Sequence, residues 1–371
     1  MVYIIIKNYV IFNTPTPEHH IVVAAVLYDL YNYTFTLLDQ CAFARIRLTP
    51  HHFPTHMVLG KKPSRIKPGH WFGVVSDQYM VGKVPSGGYL TKLALDCVVG
   101  ELNHASKEPP LPNQKRAPNP HPDVLTTNVH FMNSTLPGHF TCTVDILKSG
   151  KTTSSIQASV YQNDKETMRL LCTCGDLNAA ELKGPNIKPT ISGDHSKPPL
   201  LPPYKDCIRV DAGDNMSNSV RSRVILMVPP NTANQYDSCR ATNKDGSFDE
   251  EILLKRNSIV TTNNSADYSG YTHMSDGSEP TLLASSIYLD ASIPPILGAY
   301  VTGWVPTINW TVQHFKHPKP GLLRFRFKTS RVVGGFLEED GELWDVDNNL
   351  VAVSRQLALV GVSQKSKSSK L

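Results

Sequence analysis

The stretch GFLEEDGELWDVDNNLVAVSRQLALV, residues 335–360, predicts antiparallel strands that pair through tight turns. Apolar and polar residues alternate on both sides of Asn348-Asn349, and a period of two is typical of strands with one buried face. Asp340-Gly341 predicts a further turn, because Asp-Gly pairs favour hairpins. The surrounding residues 304–360, which also contain the turn signal Pro320-Gly321, are therefore interpreted as an antiparallel meander.

The same order of strand-like runs occurs earlier, in residues 125–177, where it is interrupted by Pro137-Gly138, Ser149-Gly150 and Asn163-Asp164. Such interruptions are typical of turns between neighbouring strands. This segment predicts a second antiparallel meander.

Each meander follows a candidate helix, over residues 85–102 in the first half and 290–303 in the second. A helix followed by a run of antiparallel strands, present twice, predicts an internal duplication in which a curved sheet wraps around a helix.

Length and proline content predict two domains joined by a linker. At 371 residues the chain is too long for one small core, and its 28 prolines favour loops and edges over long helices. We predict an unassigned N-terminal extension over 1–62, a first domain over 63–182, a Pro-rich linker over 183–205, a second domain over 206–361 with a polar insertion near 229–251, and a flexible tail over 362–371.

Composition argues against several classes of function. A formal charge of +5, from 37 basic and 32 acidic residues, comes without the basic and aromatic stripe of a nucleic-acid groove. Seven cysteines fit neither zinc knuckles nor a disulfide ladder, and no apolar run approaches the length of a membrane span. We therefore expect no metal, no cofactor, no nucleic-acid partner and no membrane span.

The familiar catalytic motifs GxSxG and HExxH are missing, so covalent catalysis is not supported. Asp290 lies between an apolar run interpreted as a strand and a proline-bounded helix, a costly place for an unused carboxylate. Alternation puts Thr307 at the start of a polar face that continues through Asn309 and Gln313, and puts Gln356 on a small or polar face of the last strand. These residues could meet in one cleft; an N-cap role for Asp290 is the structural alternative.

Six stretches resemble the type II acyl-CoA thioesterase-like family, in family order from about residue 70 to residue 360. They are VPSGGYL, FMNSTLPG, LKSGKTTSSIQASVYQND, DASIPP, PTINWTVQHFKHPKPG and the stretch that ends in SRQLALV. The resemblance implies an α+β fold of two fused hotdog domains, each a curved antiparallel sheet around a central helix. Residues 1–60 have no counterpart in it.

The resemblance also implies the site and the substrate. Asp290, at the start of the second-half helix, would activate a water, Thr307 and Gln356 would orient it, and acyl-CoA would be hydrolysed. Two alternatives stay open: an acyl-CoA-binding hotdog protein without activity, and a hotdog enzyme that releases a biosynthetic intermediate. A hotdog hydratase is disfavoured, because it needs a His five residues after the Asp, where this chain has Pro295.

Five further residues are candidates for contacting the substrate. Gly87 and Gly88 lie outside any phosphate-loop pattern, and close packing of the helix on the sheet is the simpler explanation for them. Arg324, Arg326 and Arg331 could meet the phosphates of CoA, or equally form a solvated edge strand.

The last three residues, Ser369, Lys370 and Leu371, match the C-terminal signal that the peroxisomal import receptor binds. We expect a peroxisomal location, with a solvated Lys/Ser tail as the alternative. A homo-oligomeric state is left open.

Overall fold

The computed structural model describes residues 62–109, 121–183, 197–210, 218–233, 266–299 and 305–360, and the backbone of a short strand pair near the N-terminus. Most of the predicted linker and polar insertion, and the whole predicted tail, lie outside the described residues. The chain divides into two compact units, Met1–Thr55 and His56–Leu371. In the first, β1 (Ile5–Ile6) pairs with β2 (Tyr9–Val10). The domain boundaries inferred from sequence stay predictions.

The first half of the larger unit is a long helix with strands around it. Its strands are β3 Ser64–Lys67, β4 His70–Val75, β5 Met80–Val81, β6 Val84–Pro85, β7 Asp123–Phe131, β8 Gly138–Ser149, β9 Ser154–Gln162 and β10 Lys165–Gly175. Its helices are α1 Gly87–Ala105 and α2 Leu177–Lys183. Helix α1 confirms the helix predicted over 85–102 from Gly87 onward, and its apolar face lies in the core.

The second half repeats this arrangement with shorter helices. Its strands are β11 Ile208–Arg209, β12 Val224–Val228, β13 Asp267–Met274, β14 Thr307–His314, β15 Leu323–Lys328, β16 Val332–Val333, β17 Phe336–Trp344 and β18 Leu350–Leu359. Its helices are α3 Val220–Arg223, α4 Ser285–Asp290 and α5 Ile296–Ala299. The single helix predicted over 290–303 is wrong: the apolar run before Asp290 is itself helical, α4 ends at Asp290, and α5 is separate from it. Residues 300–303 lie outside the described residues.

All of these strands except β5 and β6 form one antiparallel sheet that passes through both halves, in the order β11-β12-β13-β15-β17-β18-β14-β7-β10-β9-β8-β4-β3, with β16 paired to β17. Strands β5 and β6 pair with each other in a separate two-stranded sheet. Outward from the junction of β14 with β7, the order β14-β18-β17-β15-β13 repeats β7-β10-β9-β8-β4. This is the duplicated α+β arrangement of two hotdog domains that the sequence predicts.

Each half has a β-bulge at the same position of its ladder. This shared feature allows each residue of one half to be matched to its counterpart in the other half. Val124 and Thr126 face Cys174 and Thr173, with Leu125 extra. Thr307 and Asn309 face Ala358 and Leu357, with Ile308 extra. The counterpart of Thr307 is therefore Val124. Two pairs further along the ladder, the counterpart of Gln356 is Cys172.

The turns agree with the sequence except at Asp340-Gly341. Asn163, Gly321 and Asn348 have positive φ angles of 50°, 118° and 64° at predicted turns. Gly341 instead lies inside β17, where a Cβ atom would come within 2.7 Å of Phe327. The predicted turn is wrong, because this glycine allows a close approach within the sheet.

No helix in the described part of the chain is long and apolar enough to cross a membrane.

Candidate active site

Thr307 and Gln356 are hydrogen-bonded to each other across β14 and β18. The Thr307 hydroxyl donates to Gln356 Oε1 at 2.5 Å. The predicted polar face from Thr307 through Asn309 is wrong, because the bulge at Ile308 shifts the register between them. Thr307 is thereby turned onto the inner face of the sheet, where Gln356 also lies.

Asp290 is the last residue of α4, and its carboxylate faces the first turn of α1 in the other half. Ser86 Oγ donates to Asp290 Oδ2 at 2.6 Å, and the Gly88 backbone N–H donates to the same oxygen at 2.8 Å. The expectation that Asp290 begins a helix is therefore wrong. The carboxylate lies instead at the positive end of a 19-residue helix, which favours its charged form.

Local sequence explains how α1 presents these donors. Ser86 is the N-cap of α1, since its hydroxyl oxygen accepts the Tyr89 backbone N–H at 3.3 Å. Gly88 has no side chain, and a Cβ atom there would lie 2.1 Å from the Ser286 carbonyl oxygen. The two helices can therefore approach closely enough for the Gly88 N–H to reach Asp290.

Gly87 and Gly88 pack against different elements. A Cβ atom on Gly87 would lie 2.8 Å from the ring of Phe131 in β7, as helix-sheet packing predicts. Gly88 packs against α4, so its contact is between two helices. Gly87 also lines the cavity described next, and a substrate-binding role for either glycine stays a prediction.

One cavity of about 530 Å³ lies where the two halves meet, and Asp290, Thr307 and Gln356 all line it. Other residues of its wall include Leu90, Phe131, Leu289, Leu297 and Val305, which are apolar, and Ser86, Asn133, Arg221 and Glu339, which are polar. A cavity of this size with apolar walls and a few converging polar groups is typical of a small-molecule site.

Burial shifts the titration of two carboxyl groups in this cavity. Loss of solvation raises the pKa of Asp290, although the N–H groups of Gly88 and Gly87 and the Ser86 hydroxyl oppose the shift. Burial also raises the pKa of Glu339 to about 8; the hydrogen bond from Gln356 lowers it, and the charges of Asp290 and Asp340 raise it further. A cleft that holds two perturbed carboxyl groups is characteristic of acid-base sites.

Sequence reasoning missed Ser86 and Glu339. Alternation in β17 carries a signal for Glu339, because it is in phase with the buried residues Leu337, Gly341 and Leu343. A buried carboxyl in phase with leucines indicates a specific role. Ser86 carries a weaker signal, as a capping residue directly before a helix.

The three candidate CoA-binding arginines are not among the described residues that line the cavity. Arg326 forms an ion pair with Glu342 at 3.3 Å and Arg331 one with Glu338 at 2.8 Å. Arg324 donates to the Asp345 carbonyl oxygen at 3.1 Å. Their role in binding CoA stays a prediction. Ser369, Lys370 and Leu371 lie outside the described residues.

The fold and the cavity together define a double hotdog protein with a cavity that a carboxylate, a hydroxyl and a carboxamide line. Residues 75–175 match the model of the acyl-CoA thioesterase N-terminal domain, and residues 227–360 match that of the C-terminal domain. The chain belongs to the acyl-CoA thioesterase family and is a thioester hydrolase. This confirms the resemblance and the enzyme class inferred from sequence.

Solved structures support the fold. The chain is similar to a candidate thioesterase II from Thermobifida fusca, with 22% identity and a TM-score of 0.62 over 81% of this chain and 96% of that one. It is also similar to a hot dog fold protein of unknown function from Alicyclobacillus acidocaldarius, with 14% identity and a TM-score of 0.58 over 81% and 96%. An acyl-CoA thioesterase II from Mycobacterium marinum has 12% identity and a TM-score of 0.53 over 83% and 98%. The search of curated proteins returned no significant match.

Proposed function

We propose that this enzyme hydrolyses an acyl-CoA thioester to a free carboxylic acid and CoA by direct attack of water. The observation that carries the proposal is the convergence of Asp290, Thr307 and Gln356 in one cavity, although they come from three separate elements. A thioester needs no covalent enzyme intermediate, because its carbonyl carbon is electrophilic and a thiolate is a good leaving group.

The groups present are sufficient for a balanced reaction. The Asp290 carboxylate accepts a proton from a water molecule held by Thr307 and Gln356, and the water oxygen adds to the carbonyl carbon. The tetrahedral intermediate then breaks its carbon–sulfur bond. The electron pair leaves with sulfur, and the proton on Asp290 returns to give the free thiol.

The first turn of α1 supports the base in this scheme. The Gly88 backbone N–H donates to Asp290 rather than to a developing oxyanion. The carboxamide of Gln356 carries two N–H donors, of which one is directed at Glu339. We assign the other to the water or to the carbonyl oxygen of the thioester.

A panel of short, medium and long acyl-CoAs, assayed for thiol release, tests the proposal. We expect release of CoA from part of the panel, and a loss on the order of a hundredfold or more in Asp290→Asn, because a general base is removed. The thermal transition of the variant serves as the control for folding. If no acyl-CoA is hydrolysed while the panel still binds, the chain is an acyl-CoA-binding protein.

We also propose that the enzyme acts in peroxisomes, in fatty-acyl or specialised-metabolite metabolism. The support is the terminal sequence Ser369-Lys370-Leu371 together with thioester chemistry. A fluorescent fusion at the N-terminus should collect in peroxisomes, and deletion of these three residues should leave it in the cytosol with unchanged activity. Peroxisomal import of the deleted form would contradict the proposal.

A further inference from the structure

Glu339 is a buried carboxyl group in the wall of the same cavity. It lies in β17, directly opposite Gln356 of β18 in the ladder, so the two side chains are on the same face. Only 4% of the residue is exposed, and its Oε2 atom has no hydrogen-bond partner within the described part of the chain. A buried carboxyl oxygen without a partner is costly, so a packing role does not account for it.

The duplication shows what the fold itself needs at this position. Cys172, the counterpart of Gln356, faces Ile156 in β9, so Ile156 is the counterpart of Glu339. Ile156 is fully buried. The first half of the sheet thus has an aliphatic side chain at this position. The second half has a carboxyl group there instead, and that carboxyl group lines the cavity.

The hydrogen bonds of Gln356 connect Glu339 to the proposed chemistry. Because Thr307 donates to Gln356 Oε1, the amide nitrogen must be the other terminal atom of the carboxamide. That nitrogen is the atom able to donate to the Glu339 carboxyl, which lies opposite Gln356 in the ladder and whose pKa the interaction with Gln356 lowers. The carboxamide therefore has a partner on each side, with Thr307 at its oxygen and Glu339 at its nitrogen.

We infer that Glu339 is a positioning residue of this active site, in which one carboxyl oxygen fixes the orientation of the Gln356 carboxamide and the other contributes a polar group to the cavity that holds Asp290. The inference rests on the proposed hydrolysis of acyl-CoA and adds to it a residue that controls how the water or the thioester is oriented.

The charge state of Glu339 makes the role measurable. With a pKa of about 8, Glu339 is mostly a neutral acid at pH 7 and ionises above pH 8. The groups around it are Asp290 of α4, Tyr268 of β13 and Gln356, with Asp340 next to it in β17 and Arg221 in the wall of the same cavity. The charges of Asp290 and Asp340 oppose a further negative charge at Glu339, and that charge would in turn oppose the developing oxyanion in the same cavity. Turnover should therefore fall as pH rises through about 8.

Two variants test the inference in the full-length chain. Glu339→Ile copies the counterpart residue; kcat should fall about tenfold or more, because the carboxamide is no longer fixed, while the thermal transition at pH 8 should rise. Glu339→Gln retains an acceptor for Gln356 and cannot ionise; its kcat at pH 7 should stay within about threefold of the parent, and its fall in rate above pH 8 should disappear.

The opposite pattern overturns the inference. If Glu339→Ile lowers the thermal transition and leaves kcat of the folded enzyme unchanged, Glu339 has only a structural role. If Glu339→Gln keeps the same fall in rate above pH 8 as the parent, the titrating group is another one.

A readout independent of turnover separates this inference from the proposed function. The side-chain amide resonances of Gln356 should titrate with a midpoint near pH 8 in the parent and stay constant in Glu339→Gln. A parent that hydrolyses no acyl-CoA but shows this titration contradicts the proposed function alone. A hydrolytically active parent whose Gln356 resonances do not titrate contradicts the coupling of Glu339 to Gln356.

Discussion

The hydroxyl of Thr307 occupies a ladder position that the first half of the sheet fills with Val124, which is fully buried. We expect Thr307→Val to fold normally, because valine already occupies this bulge once in the molecule. Its kcat should fall roughly ten- to a hundredfold, because Gln356 and the water lose their hydroxyl partner. Steady-state kinetics measures the loss.

The reciprocal change, Val124→Thr, is the matched control. It buries a hydroxyl away from the cavity, so it should lower the free energy of unfolding by about 1–3 kcal/mol and leave kcat of the folded enzyme unchanged. Equal activity losses in the two variants would show that Thr307 acts through packing.

Ser86 acts on Asp290 and on α1 at the same time. In Ser86→Ala, Asp290 loses the donor at 2.6 Å that opposes the rise of its pKa. The pKa should therefore rise further, and since the ionised carboxylate is the active form, the acidic limb of the rate profile should move to higher pH. The lost N-cap should also cost about 1 kcal/mol of stability.

The control variant Ser76→Ala separates the loss of a helix cap from the change in the pKa of Asp290. Ser76 caps the short 3-10 helix Asp77–Tyr79, and its hydroxyl accepts the Gln78 backbone N–H at 3.1 Å. Its loss should lower stability without moving the acidic limb. A rate profile that is unchanged in Ser86→Ala would mean that Ser86 does not tune Asp290.

At the scale of elements, the long strands and α1 were predictable from the sequence, because their hydrophobic patterns extend over many residues. Helix α4 was not, since SSIYLD is too short for periodicity to distinguish a buried helix from a strand. The bulge at Ile308 was not predictable either. It is defined by the register between β14 and β18, and the sequence of β14 alone does not show that register.

The candidate site was predictable only in part, because a sequence pattern shows local features and does not show tertiary contacts. Asp290, Thr307 and Gln356 stand out as polar residues in apolar surroundings. The interactions that hold Asp290 come from Ser86 and Gly88, about 200 positions earlier in the chain. Only packing of α1 against α4 brings them together, and no local pattern encodes that contact.

The contact between α1 and α4 therefore controls both stability and activity. In Gly88→Ala, a Cβ atom would lie 2.1 Å from the Ser286 carbonyl oxygen and 2.6 Å from Asp290 Cβ, so the helices must separate. We expect a loss of about 1–3 kcal/mol in unfolding free energy. We also expect at least about a tenfold loss of kcat in the molecules that remain folded, because Asp290 is displaced.

Gly270→Ala gives a comparable clash away from the cavity, with a Cβ atom 2.2 Å from the Met227 carbonyl oxygen. Chemical unfolding and kinetics on both variants separate the effects: the control should lose stability and keep its kcat. If Gly88→Ala also keeps its kcat, the helix contact does not position Asp290.

At the scale of the whole molecule, the active site belongs to neither half alone. All three predicted catalytic residues lie in the second half, yet the donors to Asp290 and the wall residues Leu90 and Phe131 come from the first. The halves are joined by pairing of β7 with β14, where Asn128 faces Thr311 and donates to its hydroxyl at 2.8 Å. Tertiary contacts, rather than the connecting chain, therefore complete the site.

Cleavage of the chain between the two halves tests whether tertiary contacts are sufficient to complete the site. A protease site introduced into the predicted linker, residues 183–205, should allow cleavage with little loss of activity, because the β7-β14 ladder and the α1-α4 contact hold the fragments together. Separated in denaturant and refolded alone, the second-half fragment should be inactive although it contains Asp290, Thr307 and Gln356, since its carboxylate lacks the first turn of α1 and its β14 edge is unpaired. Activity should return when the two fragments are refolded together. A second-half fragment that hydrolyses acyl-CoA alone would show that α1 is dispensable, and that the second half contains the complete site.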